Sequence, residues 1–214
     1  MISLFERRGR GTGQLSVVIA AAFAFDLLVL GLMHVLRPEV DPITEPTSNY
    51  SIGSYGSVAL AAVIAVGVGS LALAYVMRVE RHDVRKLGIG LLAVFGVCKL
   101  LMVFFPIDVD PAVASTTSGA IHNVLGNVAF FAIPVAAILL SSSLGSASKV
   151  LSWLLAVSAI VVLASDVFGA FGIAQRAFLV LSSLWTISAA MTVRRWPGSE
   201  SDRDSMTVPL VDPI

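Results

Sequence analysis

Apolar positions in this chain fall into long unbroken blocks rather than the alternating or one-face patterns of soluble strands and helices. The blocks lie at about residues 15–36, 57–77, 87–105, 121–141, 150–170 and 176–193. Each approaches the roughly 20 residues that a helix needs to cross a bilayer. Hydrocarbon leaves no partner for a free peptide N–H or C=O, so blocks of this length are helices. The pattern predicts an all-α integral membrane protein, a bundle of six transmembrane helices over residues 15–195. A cytoplasmic segment, 1–14, precedes it, and a polar, disordered cytoplasmic tail, 196–214, follows.

Arg7, Arg8 and Arg10 before the first block imitate the start of a secretory signal. The run from Leu15 to Leu36 is too long for a signal core, and Arg37 and Pro38 follow it instead of a small-residue cleavage site, so it reads as a retained span.

Composition agrees. Hydrophobic residues make up 57% and charged residues 13%, with a mean hydropathy of +0.90. Soluble domains run near 45–50% apolar and about 25% charged. The formal net charge is zero, which leaves no basic footprint for nucleic acid. The single cysteine, Cys98, excludes an internal disulfide and reads as a small buried hydrophobe.

The placement of charge predicts orientation. Arg7, Arg8 and Arg10 precede the first block, and Arg78, Arg81, Arg85 and Lys86 separate the second from the third. Lys149 precedes the fifth, and Arg194, Arg195 and Arg203 follow the sixth. The opposite side carries only Arg37 and Arg176, beside Glu39, Asp41, Glu45, Asp108 and Asp110. Both termini are therefore expected in the cytoplasm. His82, in the basic inner loop, is expected to be solvated.

The outer loop from Arg37 to Gly56 is stiffened by Pro38, Pro42 and Pro46 and reads either as a lid over the helix ends or as a solvated connector, the prolines favouring the ordered version. Ser48 or Ser51 is a candidate cap for the second span.

Two ionisable residues lie deep in spans, Asp26 and Lys99. Each costs about 2.5–3.5 kcal/mol at a helix centre on insertion scales, so lipid-facing versions are disfavoured. Asp26 lies ten residues, about 15 Å, below the outer end of its span, and Lys99 six residues, about 9 Å. Side chains lean toward helix N-termini, here inward. The lysine stem can bring its amine down to Asp26, which predicts an intramembrane ion pair, with Asp166 as a competing partner. Such a pair serves either to lock helices or as a proton relay.

A second polar group gathers at the outer ends: His34 and Arg37 on the first span, Ser118, His122 and Asn123 on the fourth, and Gln175 and Arg176 at the start of the sixth. Together with Asp108 and the first outer loop they predict an outward-facing polar pocket. Ser118, His122 and Asp108 are the weak catalytic candidates, since a serine-histidine-acid set can be drawn from them. No strained turn marks Ser118 as a nucleophile. Ser118-x-x-x-His122 is also similar to an element of zinc-dependent membrane hydrolases of the ceramidase class, but the His-x-x-x-His partner is absent. Neither metal nor cofactor is expected.

Short motifs ordered along the chain carry a resemblance. Arg37-Pro38, Asp41-Pro42 and Ser48-x-Tyr50 follow the first span. Phe105-Pro106-x-Asp108 and Ser118-Gly119-x-Ile121-His122 flank the second outer loop, and Gln175-Arg176 is followed by Trp185. Over about residues 15–195 the chain resembles the domain-of-unknown-function 998 family of prokaryotic multi-span membrane proteins. The resemblance implies an architecture and a set of outer-face positions, and it implies no reaction.

The sequence thus predicts a non-catalytic protein of a prokaryotic cytoplasmic membrane that handles a lipid headgroup or small amphiphile. Its ligand-binding set is His34, Arg37, Ser48, Tyr50, Asp108, Ser118, His122, Asn123, Gln175 and Arg176, with Arg37 and Arg176 holding an anionic group. Membrane lipids are the expected partners, along with a membrane-complex partner or a second copy. The alternatives are a proton-coupled transporter using Asp26 and Lys99, a hydrolase using Ser118 and His122, and an accessory subunit of an envelope complex.

Overall fold

The computed structural model describes residues 2–80, 84–108 and 115–196. His82, Asp110 and the tail beyond Trp196, together with the side chain of Asp166, lie outside the described part.

Among the described residues the chain forms α1 (Ile2–Leu36), α2 (Gly56–Glu80), α3 (Lys86–Met102), α4 (Thr117–Leu140), α5 (Ser146–Ser165) and α6 (Phe171–Val193). Each helix packs on its neighbour in sequence, and α6 returns to pack on α1, so the helices form a closed ring. Five of them are long and apolar enough to cross a membrane, and the apolar stretch of α1 begins at Gly11. α3 is shorter, at 17 residues, and sits between α2 and α4. The chain is a multi-pass membrane protein by the length and composition of these helices. Large apolar side chains such as Leu28, Val124, Trp153 and Ile160 face outward, the reverse of a soluble surface.

Helix boundaries depart from the apolar blocks where local hydrogen bonding intervenes. α1 begins at Ile2 rather than near residue 15, because hydropathy marks the embedded part of a helix and not its length. α3 ends at Met102, not 105: Val103, Phe104 and Phe105 donate to carbonyls three residues back, a tightened last turn before Pro106. α4 starts at Thr117 because the Thr116 hydroxyl accepts from the Gly119 amide at 3.0 Å. α5 and α6 start four or five residues before their apolar blocks. Ser48 and Ser51 do not cap α2. They belong to a short 3-10 turn, Thr47–Ser51, in which the Ser51 hydroxyl donates to the Ser48 carbonyl at 2.6 Å.

With lipid on the outside, close approach of helices replaces the hydrophobic drive of soluble cores. α2 and α3 meet at Gly67 and Gly96, where a Cβ on Gly96 would lie 2.8 Å from the Gly67 carbonyl oxygen. Away from the long loops, polar side chains fasten helices. Trp185 Nε1 donates to Ser152 Oγ at 2.9 Å, and Ser152 Oγ is 3.0 Å from the Ala137 carbonyl, which ties α6 to α5 and α4.

Candidate functional site

Three connections crowd one end of the bundle: α1–α2, α3–α4 and α5–α6. The first is bound down along its length. Arg37 donates to Glu39 and to the Ile52 carbonyl, and at 3.0 Å to the Ser54 carbonyl. Asp41 accepts from the Ile43 amide at 2.9 Å and from the Thr44 hydroxyl at 2.7 Å, bonds that hold its carboxyl below the usual carboxylate range.

Arg176 then fixes this loop to α6. Its side chain is 7% exposed. Nη1 donates to the Glu45 carbonyl at 2.8 Å and the Gly172 carbonyl at 3.0 Å, Nη2 to the Tyr50 hydroxyl at 3.0 Å, and Nε to His34 Nε2 at 3.1 Å. His34 Nδ1 lies 2.7 Å from the Leu30 carbonyl, so the ring donates at Nδ1 and accepts at Nε2, the pattern of a neutral imidazole. Tyr50 is 2% exposed. Its ring packs 5.4 Å from the Arg176 guanidinium carbon and 5.8 Å from the His34 ring. Gln175 Oε1 accepts from the Thr47 amide at 2.7 Å, and the Ile173 amide donates to the Ile43 carbonyl at 3.1 Å. The proline-rich loop is thereby latched across the ends of α1 and α6.

The two described ends of the α3–α4 connection are joined to each other. Asp108 accepts from the Thr116 hydroxyl at 2.6 Å and the Thr116 amide at 3.0 Å, which hold its carboxyl below the ordinary range. A Cβ at Gly119 would overlap that carboxylate. Ser118 Oγ donates to the Pro106 carbonyl at 3.1 Å, and His122 Nδ1 lies 2.8 Å from the Phe105 carbonyl. The catalytic arrangement drawn from Ser118, His122 and Asp108 is therefore not assembled: each is turned to neighbouring backbone or to Thr116, and no bond joins Ser118 to His122. Among the described residues, no group of three or more histidine, cysteine, aspartate or glutamate side chains is gathered for a metal.

Beneath both loops lies a cavity of about 440 Å³. Its roof is Pro46, Thr47, Ser48, Tyr50 and Ser51, with Ile107. Its walls are apolar, among them Met33, Val63, Val66, Phe130 and Phe178. By position along their helices Asp26, Asn127, Ser182 and Ser183 line it far from the loops, and Lys99, His122, Asn123 and Gln175 line it nearer to them. α5 supplies no lining residue. The cavity descends from Gln175 to Ser183, eight residues or about 12 Å along α6.

The predicted direct pair between Asp26 and Lys99 is not formed. Among the described residues, no contact within ion-pair distance joins them, although each feels the other's charge. Asp26 instead accepts from the Ser183 hydroxyl at 2.9 Å. The Lys99 ammonium lies 5.7 Å from the centroid of the Phe95 ring, a cation–π distance. The reason is space: both side chains line the cavity, so neither is pressed onto the other.

Of the ligand set predicted from sequence, Ser48, Tyr50, His122, Asn123 and Gln175 line the cavity. His34, Arg37, Asp108, Ser118 and Arg176 do not, and hold the loops instead. Ser183 and Thr47 escaped sequence reasoning. Ser183 was open to it, since Gln175, Leu179 and Ser183 recur at helical spacing and share one face of α6.

The match of chain to family spans this whole arrangement. The family model for a protein of unknown function, DUF998, matches residues 18–192. The chain belongs to the DUF998 family. The matched region covers the latched loop, the α3–α4 connection and every residue lining the cavity. No curated protein and no solved structure gives a significant match.

Proposed function

We propose that this DUF998 member is a six-span protein of a prokaryotic cytoplasmic membrane, with both termini inside. In this reading its cavity opens outward and receives the headgroup end of an amphiphile without chemical change. The observation that carries the reading is the cavity: apolar walls for a chain, polar groups at depth, and a roof made by a fastened loop. The lysine and arginine bias of the connections supports the orientation. α3 supports the sixth crossing by its place in the ring between two longer apolar helices.

Arg37 and Arg176 act here through the loop rather than on the ligand, because their donors are committed to loop and helix groups. Lys99 takes over as the cation available to an anionic group. Lipid retained by the purified protein, identified by native mass spectrometry, tests this: Lys99→Met is expected to release a phosphate-bearing lipid that the parent protein holds. If the parent protein carries no lipid and takes none up from mixed micelles, the reading is wrong.

One observation favours a second reading. Asp26 and Lys99 both reach a single cavity, as a proton-coupled transporter would require. A pH gradient imposed across proteoliposomes, with Asp26→Asn as control, tests it: proton flux that depends on Asp26 supports a relay.

A further inference from the structure

The two charges in the cavity define which headgroup it suits. Asp26 and Lys99 carry opposite charge, line the same space and do not touch. Among the described residues Asp26 accepts one hydrogen bond, from Ser183, so its carboxylate has acceptor capacity left. The Lys99 ammonium has three donors, none of which makes a hydrogen bond among the described residues, and it lies over the Phe95 face.

A purely anionic guest would satisfy Lys99 and leave Asp26 opposed by like charge. A cationic guest would do the reverse. A guest with both charges completes both groups and keeps the buried site neutral, which a low-dielectric setting demands.

Building on the amphiphile reading, we infer that the ligand is zwitterionic. Its anionic phosphate or carboxylate lies at Lys99, and its ammonium lies at Asp26.

The experiment uses the full chain in detergent, titrated with phosphatidylethanolamine, phosphatidylglycerol and water-soluble phosphoethanolamine, with binding read by native mass spectrometry. The parent protein is expected to prefer phosphatidylethanolamine over phosphatidylglycerol by about tenfold, the scale of one charge-assisted contact. Asp26→Asn is expected to erase that preference while phosphatidylglycerol still binds. Lys99→Met, or Lys99→Gln if the methionine variant does not fold, is expected to weaken both lipids. Equal binding of the two lipids by the parent protein, or a preference that survives Asp26→Asn, overturns the zwitterion and leaves the amphiphile reading standing. Phosphoethanolamine binding as tightly as the lipid keeps the zwitterion and removes the amphiphile. If none of the three binds, both are overturned.

Discussion

The latch around Arg176 and the charges at Asp26 and Lys99 are both polar groups set among apolar helices, yet they are finished differently. Around Arg176 the bonds are closed: guanidinium, imidazole, phenol and two carbonyls meet within hydrogen-bond distance. Among the described residues Asp26 accepts one hydrogen bond, from Ser183, Lys99 donates none, and both open onto space. Burial of polar groups is tolerated when partners are supplied, and expensive otherwise. The first region therefore builds the architecture. The second keeps capacity that a guest can complete.

The comparison breaks most readily at Arg176. Arg176→Ala removes the common donor of four acceptors and is expected to destabilise the protein by about 3 kcal/mol, the scale of buried bonds to a charged group. Thermal unfolding in detergent measures the loss, and proteolysis within residues 37–55 shows whether the loop has come free. Arg176→Lys should not rescue, since a single ammonium cannot reproduce the guanidinium fork. A variant as stable as the parent protein would mean that the latch is not structural.

Next comes Gly172, whose added Cβ would lie 2.6 Å from the Glu45 carbonyl oxygen and 2.9 Å from Arg176 Nη1. Gly172→Ala is expected to cost about 1–3 kcal/mol by overpacking. It should expose the same loop to protease without removing any hydrogen-bond donor.

Asp26→Asn and Lys99→Met sharpen the contrast from the other side. Each removes a charge that the fold leaves incompletely paired, so stability is expected to change by under about 1 kcal/mol, or to rise. A loss as large as that of Arg176→Ala would show that the two charges hold the helices together and would abolish the distinction.

The smallest effect lies at Asp108. Its folded-state value is depressed by the Thr116 hydroxyl and amide. Its contribution is therefore fully present above the ordinary carboxylate range and lost as pH falls through that range toward the folded value. Asp108→Asn is expected to remove that part of the acid dependence of thermal unfolding.

Much of the architecture was legible because lipid imposes a simple rule on sequence, in which a span is a long apolar run. The helices stand near the blocks that hydropathy marks, and the proline-rich segment does close over the helix ends. Boundaries moved where a hydroxyl or a proline acts locally, as at Thr116 and Pro106. The candidate site was legible only as a list. Arg176, His34 and Ser118 were recognisable as polar and near one depth, but residue type does not say whether a donor faces a ligand or a backbone carbonyl. Asp26 and Lys99 were conspicuous as charges, and their depths suggested a pair.

The sequence by itself determined the class of protein, the places where polar groups interrupt its spans, and the family-like motifs at the loops, because hydropathy and charge are properties of residues taken one at a time. Only the tertiary structure decided which of those groups are occupied with one another and which are left facing space. That depends on distances between helices far apart in sequence, as between Asp26 and Ser183 or Tyr50 and Arg176. Satisfaction of a hydrogen bond is a property of pairs, and the fold alone makes the pairs.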